Sequence, residues 1–266
     1  MEHVAMCEKR NSKFYIRLLL CCAAFLLLIN TGQAQTKITV AVAANMQYAS
    51  EALKTAFEHD EHIVVELIIG SSGKLSQQIM SGAPFDVFIS ADTSFPQKLV
   101  ADKQAVEPPK VYAQGVLVLW TLKKGLQPKA DLQLLMSENI KTIALANPKN
   151  APYGTAAEAL LKKYKLYDRV KNKFVLGESI TQTSQFIATQ AADIGFTAKA
   201  IVWSNEMKGK GVWIDLNQND YPPIKQAAVL LKYGQQNHPQ AAKKFYDFLF
   251  SAKAKTIFKQ FGYLVK

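Results

Sequence analysis

Gly70-Ser71-Ser72-Gly73 follows the apolar run IVVELII and opens the helical stretch KLSQQIM. The first backbone N–H groups of a helix have no partner inside it, and serine hydroxyls beside them add donors, so such a turn can hold a small anion. Two other stretches share this construction. ITVAVAANMQYASEALKTAF sets Asn45 after Ala43-Ala44 at a helix start, and IALANPKNAPYGTAAEALLKKY sets Tyr153 in the turn Pro152-Tyr153-Gly154-Thr155. Asn is a strong N-cap: its side-chain oxygen would satisfy the helix while its amide nitrogen faces a ligand, or it would cap and nothing more. Tyr153 stands between a phenolic donor and a side chain that packs one domain on another. Glu178-Ser179-Ile180-Thr181 opens a further helix, where backbone N–H groups are the useful donors.

Other chemistries find less support. Gly73-Lys74 departs from a nucleotide P-loop, which needs four residues between its glycines and Ser or Thr after the lysine; here two intervene and Leu75 follows. His59 and His62 in EHDEH lack a third ligand nearby, so no direct metal ligand is expected. His238 stands alone before Pro239. Asp86 and Asp92 flank FISA and read as turn and cap residues, since carboxylates facing an anion would repel it. There is no GxSxG elbow and no HExxH, so the chain does not read as an enzyme.

The first residues point to export. Lys9, Arg10, Lys13 and Arg17 precede the apolar run Leu18 to Ile29, and Gly32-Gln33-Ala34 follows with small residues at its first and third places. That is a secretory signal peptide over 1–34, cut after Ala34, and its apolar run is short of the roughly 20 residues a membrane span needs. Cys7, Cys21 and Cys22 all fall in the leader, so the exported chain has no thiol, disulfide or Cys-held metal. Leucines precede Cys21, against a lipid-attachment site. The whole chain carries a formal charge of +11; without the leader's four basic and two acidic residues it is 28 against 19, or +9. Scattered lysines of this kind keep an exported protein soluble and could also gather anions. Arg169 is the one arginine after the leader, so the arginine-rich stripe that nucleic acid would require is missing.

Strands and helices alternate along the remaining residues, which calls for a mostly parallel sheet covered on both faces. Two long apolar strands, GVLVLWT from Gly115 and Lys225–Leu231, each follow a Pro-Pro pair and bracket a second alternating block. They read as crossovers: a first domain over 35–117, a second over 118–226, and a return over 227–266, with a single continuous α/β domain as the alternative. Two α/β domains joined by two strands leave a cleft, where small ligands bind. A closing helical segment is expected over Pro239–Phe258.

The runs VAVAANM, GSSGKLSQQIMSGAPFDVFISAD, NPKNAPYGTAAEALLKK, GESITQT, ADIGFTAKA and FYDFLFSAKAKTIFKQFGYLVK resemble the ModA family, the periplasmic molybdate-binding proteins of bacterial ABC importers. The resemblance extends over essentially the whole chain after the leader. It implies a type II periplasmic binding protein fold: two doubly wound α/β domains, joined by two crossover strands, holding a tetrahedral oxyanion in the cleft by neutral hydrogen bonds. It also implies a periplasmic monomer that carries molybdate or tungstate, without a cofactor, to an ABC permease in the inner membrane. Asn45 stands where members have Ser or Asn, Ser72 where they have a second ligand serine, Tyr153 where some have Ala and others Tyr, and Ile180 where a Val donates its backbone N–H. One departure is Gly195-Phe196-Thr197-Ala198, which lacks the ligand tyrosine that one subgroup places there; Tyr153 would supply the phenol from the opposite wall. Molybdate is a dianion that only accepts hydrogen bonds, whereas phosphate at neutral pH keeps a proton and needs an acceptor. A receptor for sulfate or another oxyanion, and an exported enzyme acting on a phosphorylated or sulfated substrate, are the alternatives.

Overall fold

A computed structural model describes residues 36–265; the expected signal peptide lies outside the described residues. Strands form where β-branched and small residues run together. In chain order these are β1 (Lys37–Ala43), β2 (Val64–Gly70), β3 (Val87–Ser90), β4 (Lys110–Gly115), β5 (Leu117–Thr121), β6 (Ile143–Ala146), β7 (Phe174–Gly177), β8 (Ile194–Ala198), β9 (Val212–Asp215) and β10 (Ile224–Leu230). They make two five-stranded sheets, ordered β2-β1-β3-β10-β4 and β7-β6-β8-β5-β9. In the first, β1 runs parallel to β2 and β3, and β10 runs antiparallel to β3 and β4. In the second, β6 runs parallel to β7 and β8, and β5 runs antiparallel to β8 and β9. Both sheets thus have three parallel strands, then an antiparallel strand from elsewhere in the chain, then an edge. This is the α/β class that the alternating pattern calls for.

Among the helices that lead away from parallel strands are α1 (Gln47–Glu61) after β1, α2 (Ser72–Met80) after β2, α3 (Pro152–Lys163) after β6 and α4 (Ile180–Ala188) after β7. Each buries one stripe, as α1 does with Ala49, Leu53 and Phe57 at helical spacing. Phe57 meets Phe245 of the helix Pro239–Phe248 edge-on, with ring centroids 5.0 Å apart, in a core built on Ile38, Val40 and Val42. A second core gathers Leu117, Leu119, Leu145 and Phe196 under the other sheet.

Three sequence expectations are corrected. The run GVLVLWT is not one strand. β4 ends at Gly115 and β5 starts at Leu117 in the other sheet, with the Val116 carbonyl between them accepting from Lys199 N at 2.9 Å. The closing helix is broken into Pro239–Phe248 and Ala252–Gln260, because Ser251 caps the latter through an Ala254 N–H to Oγ bond of 3.1 Å. Asp86 lies in the bend before β3, as expected, but His238 does not stand alone. Asp86 is buried, accepts from Thr39 N at 2.6 Å and lies 2.8 Å from His238 Nδ1, so it ties β1 to β3 and to the start of the C-terminal helices. Among the described residues, no helix is long and apolar enough to cross a membrane.

Candidate functional site

The four turns singled out in the sequence lie at the C-terminal ends of the parallel strands β1, β2, β6 and β7, and the helices that leave them start from one place. Asn45, Ser72, Tyr153 and Ile180 line a single small cavity there, of about 10 Å³. All four are buried, between 1% and 4% exposed, so a ligand reaches them only if the surrounding elements part. The cavity's lining contains no Asp, Glu, Lys, Arg or His. A larger opening of about 510 Å³ lies beside it, lined by Gln47, Tyr48, Ser179 and Thr181 with Glu51 and Glu206, whose carboxylates disfavour an anion.

Hydrogen bonding fixes the direction of the hydroxyls. Ser72 Oγ accepts from Ala91 N at 3.0 Å, and Tyr153 Oη accepts from Gln226 Nε2 at 3.0 Å. Each keeps its own proton to donate. Burial pushes the Tyr153, Tyr112 and Tyr263 phenols well above their ordinary range, with neighbouring phenols adding to it, so all three stay protonated. Ser71 is the N-cap of α2, where a serine oxygen ordinarily accepts a backbone N–H, yet its buried Oγ has no partner. Ile180 is the first residue of α4, so its N–H has no partner within the helix; Ser179 caps that helix by accepting from Gln182 N at 3.2 Å.

Asn45 departs from expectation. It lies inside a 3-10 turn, Ala44–Met46; Met46 precedes α1, and no side chain caps that helix. Its Nδ2 is not free for a ligand but donates to Gln226 Oε1 at 2.9 Å and to Tyr263 Oη at 2.8 Å, and its Oδ1 is buried with no partner. Asn45 is therefore the centre of a buried polar network in this arrangement. The network also includes Tyr112, 2.8 Å from Gln226 Oε1. Gly115 makes room for it: a Cβ there would sit 2.1 Å from Tyr153 Oη and 2.5 Å from Gln226 Nε2.

Sequence reasoning missed Gln226, Tyr263, Tyr112 and Gly115, and took Ser72 from a turn that also offers Ser71. The available signal for Gln226 was one uncharged polar residue in the otherwise apolar face of IKQAAVL, where it is fully buried. The two sheets' elements meet around the cavity. Gly73 N donates to Asn150 O at 2.9 Å, Thr181 Oγ1 lies 3.1 Å from Ala44 O and 2.8 Å from Gln47 Oε1, and Lys74 pairs with Glu178 at 2.8 Å. His59 and His62 play no part: His59 is exposed beside Asp60, and His62 ends α1 in the left-handed region. Among the described residues, no group of three or more His, Cys, Asp or Glu could hold a metal ion.

Known proteins share this sequence and fold. A family model described as bacterial extracellular solute-binding protein matches residues 38–264. The chain is 37% identical over 234 residues to the molybdate-binding protein ModA of Rhodobacter capsulatus, covering 88% of this chain and 90% of that protein. It is 38% identical over 230 residues to ModA of Azotobacter vinelandii, covering 85% and 89%. The solved structure of the Azotobacter vinelandii periplasmic molybdate-binding protein superposes with a TM-score of 0.81 at 33% identity, covering 86% of this chain and 99% of that one. With its two α/β sheets, its buried uncharged cavity and a family match over nearly every described residue, the chain belongs to the bacterial extracellular solute-binding protein family.

Proposed function

We propose that this chain is a periplasmic receptor that captures molybdate, and tungstate with it, and delivers the ion to an ABC permease in the inner membrane. The observation that carries this reading is the buried cavity in which the starts of α2, α3 and α4 meet with donor hydroxyls and no charged side chain. A dianion that only accepts hydrogen bonds suits donors and helix N-termini, and an uncharged site can release its cargo where a salt bridge would hold it. The oxyanion bonds are assigned to the Ser72 and Tyr153 hydroxyls and the Ile180 N–H, with Asn45 completing the wall. Molybdate is chosen over sulfate because the relatives at 37–38% identity are named for molybdate. The absence of a nucleophile–base pair among the cavity residues favours a receptor over an enzyme.

The division into two halves is part of the proposal. Domain one over 35–117 and 227–266 and domain two over 118–226 would part to admit the ion, turning near Val116 and in the segment between β9 and β10. The leader over 1–34 would be removed after Ala34, leaving a periplasmic monomer. Calorimetric titration of the purified chain with molybdate, tungstate, sulfate and phosphate tests the reading. Molybdate and tungstate should bind with similar affinity and phosphate not at all; tighter binding of sulfate or phosphate, or none of the four, would overturn it.

A further inference from the structure

We propose that Gln226 is the positioning residue that makes Tyr153 a donor to the bound anion, through a one-way chain of hydrogen bonds that starts at a backbone carbonyl. This rests on the oxyanion reading above and deepens it. The chain begins where direction cannot be in doubt. The Asn45 carbonyl can only accept, so Tyr263 Oη, 2.9 Å away, donates to it. With its proton spent, Tyr263 Oη must accept from the Asn45 side chain, which places Nδ2 there. The same Nδ2 lies 2.9 Å from one end of the Gln226 amide, and that end must be the acceptor Oε1. Tyr112 Oη, 2.8 Å from the same oxygen and 3.3 Å from Ser90 O, meets acceptors at both places. Gln226 Nε2 is thereby turned to Tyr153 Oη at 3.0 Å, where it fills a lone pair and leaves the phenol proton for the cavity.

Reversing the Gln226 amide would set Nε2 against Asn45 Nδ2 and let Oε1 capture the Tyr153 proton, so an anion would meet a phenol lone pair. Gln226 is fully buried, at a β-bulge between Gln226 and Ala227 in the pairing of β10 with β4, so bulk solvent does not reach its amide. It also joins Asn45 at the end of β1 to Tyr153 on the helix that follows β6, one from each sheet's half of the chain.

The test is molybdate titration of wild type, Tyr153→Phe, Gln226→Met, their double variant and Gln226→Glu, with thermal unfolding alongside. Tyr153→Phe and Gln226→Met should each weaken binding about five- to a hundredfold, and the double variant should be no weaker than the weaker single, because the second residue acts through the first. Gln226→Glu adds a readout that packing alone would not move. Its carboxylate keeps the acceptor for Asn45 but takes the Tyr153 proton and sets a charge beside the anion. On lowering the pH from 8 to 5 its protonated form donates to Tyr153 again, so affinity should recover with pH in Gln226→Glu, stay flat in wild type, and fail to recover when Tyr153→Phe is added. Gln226→Glu decides the question even if Gln226→Met does not fold. Additive losses, no recovery at low pH, or wild-type binding by Gln226→Met would overturn the inference while leaving the oxyanion reading standing, as would wild-type binding by Tyr153→Phe. A wild type that binds no molybdate would overturn both.

Discussion

At the residue scale, a glycine decides whether the Tyr153 phenol can take its place in the cavity wall. Gly115 needs no unusual backbone; it is required because its missing side chain is the space that Tyr153 Oη and Gln226 Nε2 occupy, 2.1 and 2.5 Å from where a Cβ would lie. Gly115→Ala is expected to push the hydroxyl off its position and weaken molybdate binding about tenfold or more, by the loss of a hydrogen bond to a charged group. Calorimetry on this variant checks it, and wild-type affinity would show that Tyr153 does not contact the ion. The placing of Ser72, Tyr153 and Ile180 at helix starts was legible from the sequence, because each sits within two residues of the turn that opens its helix. The role of Asn45 was not, because its partners Gln226 and Tyr263 lie 181 and 218 residues further along the chain.

At the element scale, the site depends on where helices begin. The proposed donor at α4 is the Ile180 N–H at the first helical position, where proline is well tolerated, and Ser179 before it is already in the extended region that a following proline requires. Ile180→Pro therefore removes that donor while keeping the helix start, and Ile180→Val keeps the donor while trimming the side chain. Affinity should fall about tenfold in the first and change little in the second, with circular dichroism unchanged in both. Equal affinities would remove the backbone of α4 from the site. The alternation of strand and helix made these junctions readable. The break at Val116 was not readable, because an apolar run carries no mark of the residue at which it leaves one sheet for the other.

For the whole molecule, acid stability and closure are the relevant properties. Asp193 is pulled two ways: burial pushes its carboxyl up, while bonds from Lys123 Nζ, Lys141 N and Thr142 N outweigh that and hold it below the usual carboxylate range. A carboxyl whose folded value is lowered contributes stability that is present above its unfolded value, near 3.8, and is lost as pH falls through the folded value. The melting temperature of wild type should therefore exceed that of Asp193→Asn at pH 6, and the gap should close below about pH 4. A gap independent of pH would mean that the carboxylate charge contributes nothing. Closure is read by X-ray scattering: molybdate should compact the wild type, and Tyr153→Phe should compact less, because the proposed bond from Tyr153 to the ion would help hold α3 toward α2. The half-exposed Lys74–Glu178 pair across the same gap is worth at most about 1 kcal/mol and would not close it alone.

The sequence by itself determined the α/β class and the placing of hydrogen-bonding groups at helix starts, because these follow from periodicity and from residues adjacent in the chain. Tertiary structure decided which way the donors face. Ser72 is oriented by Ala91 N, and Tyr153 by Gln226 in a strand 73 residues on. A hydroxyl or an amide can donate or accept at nearly equal cost until a partner of fixed character is set against it, and those partners come together only when β10 returns to the first sheet and the C-terminal turn brings Tyr263 to the Asn45 carbonyl.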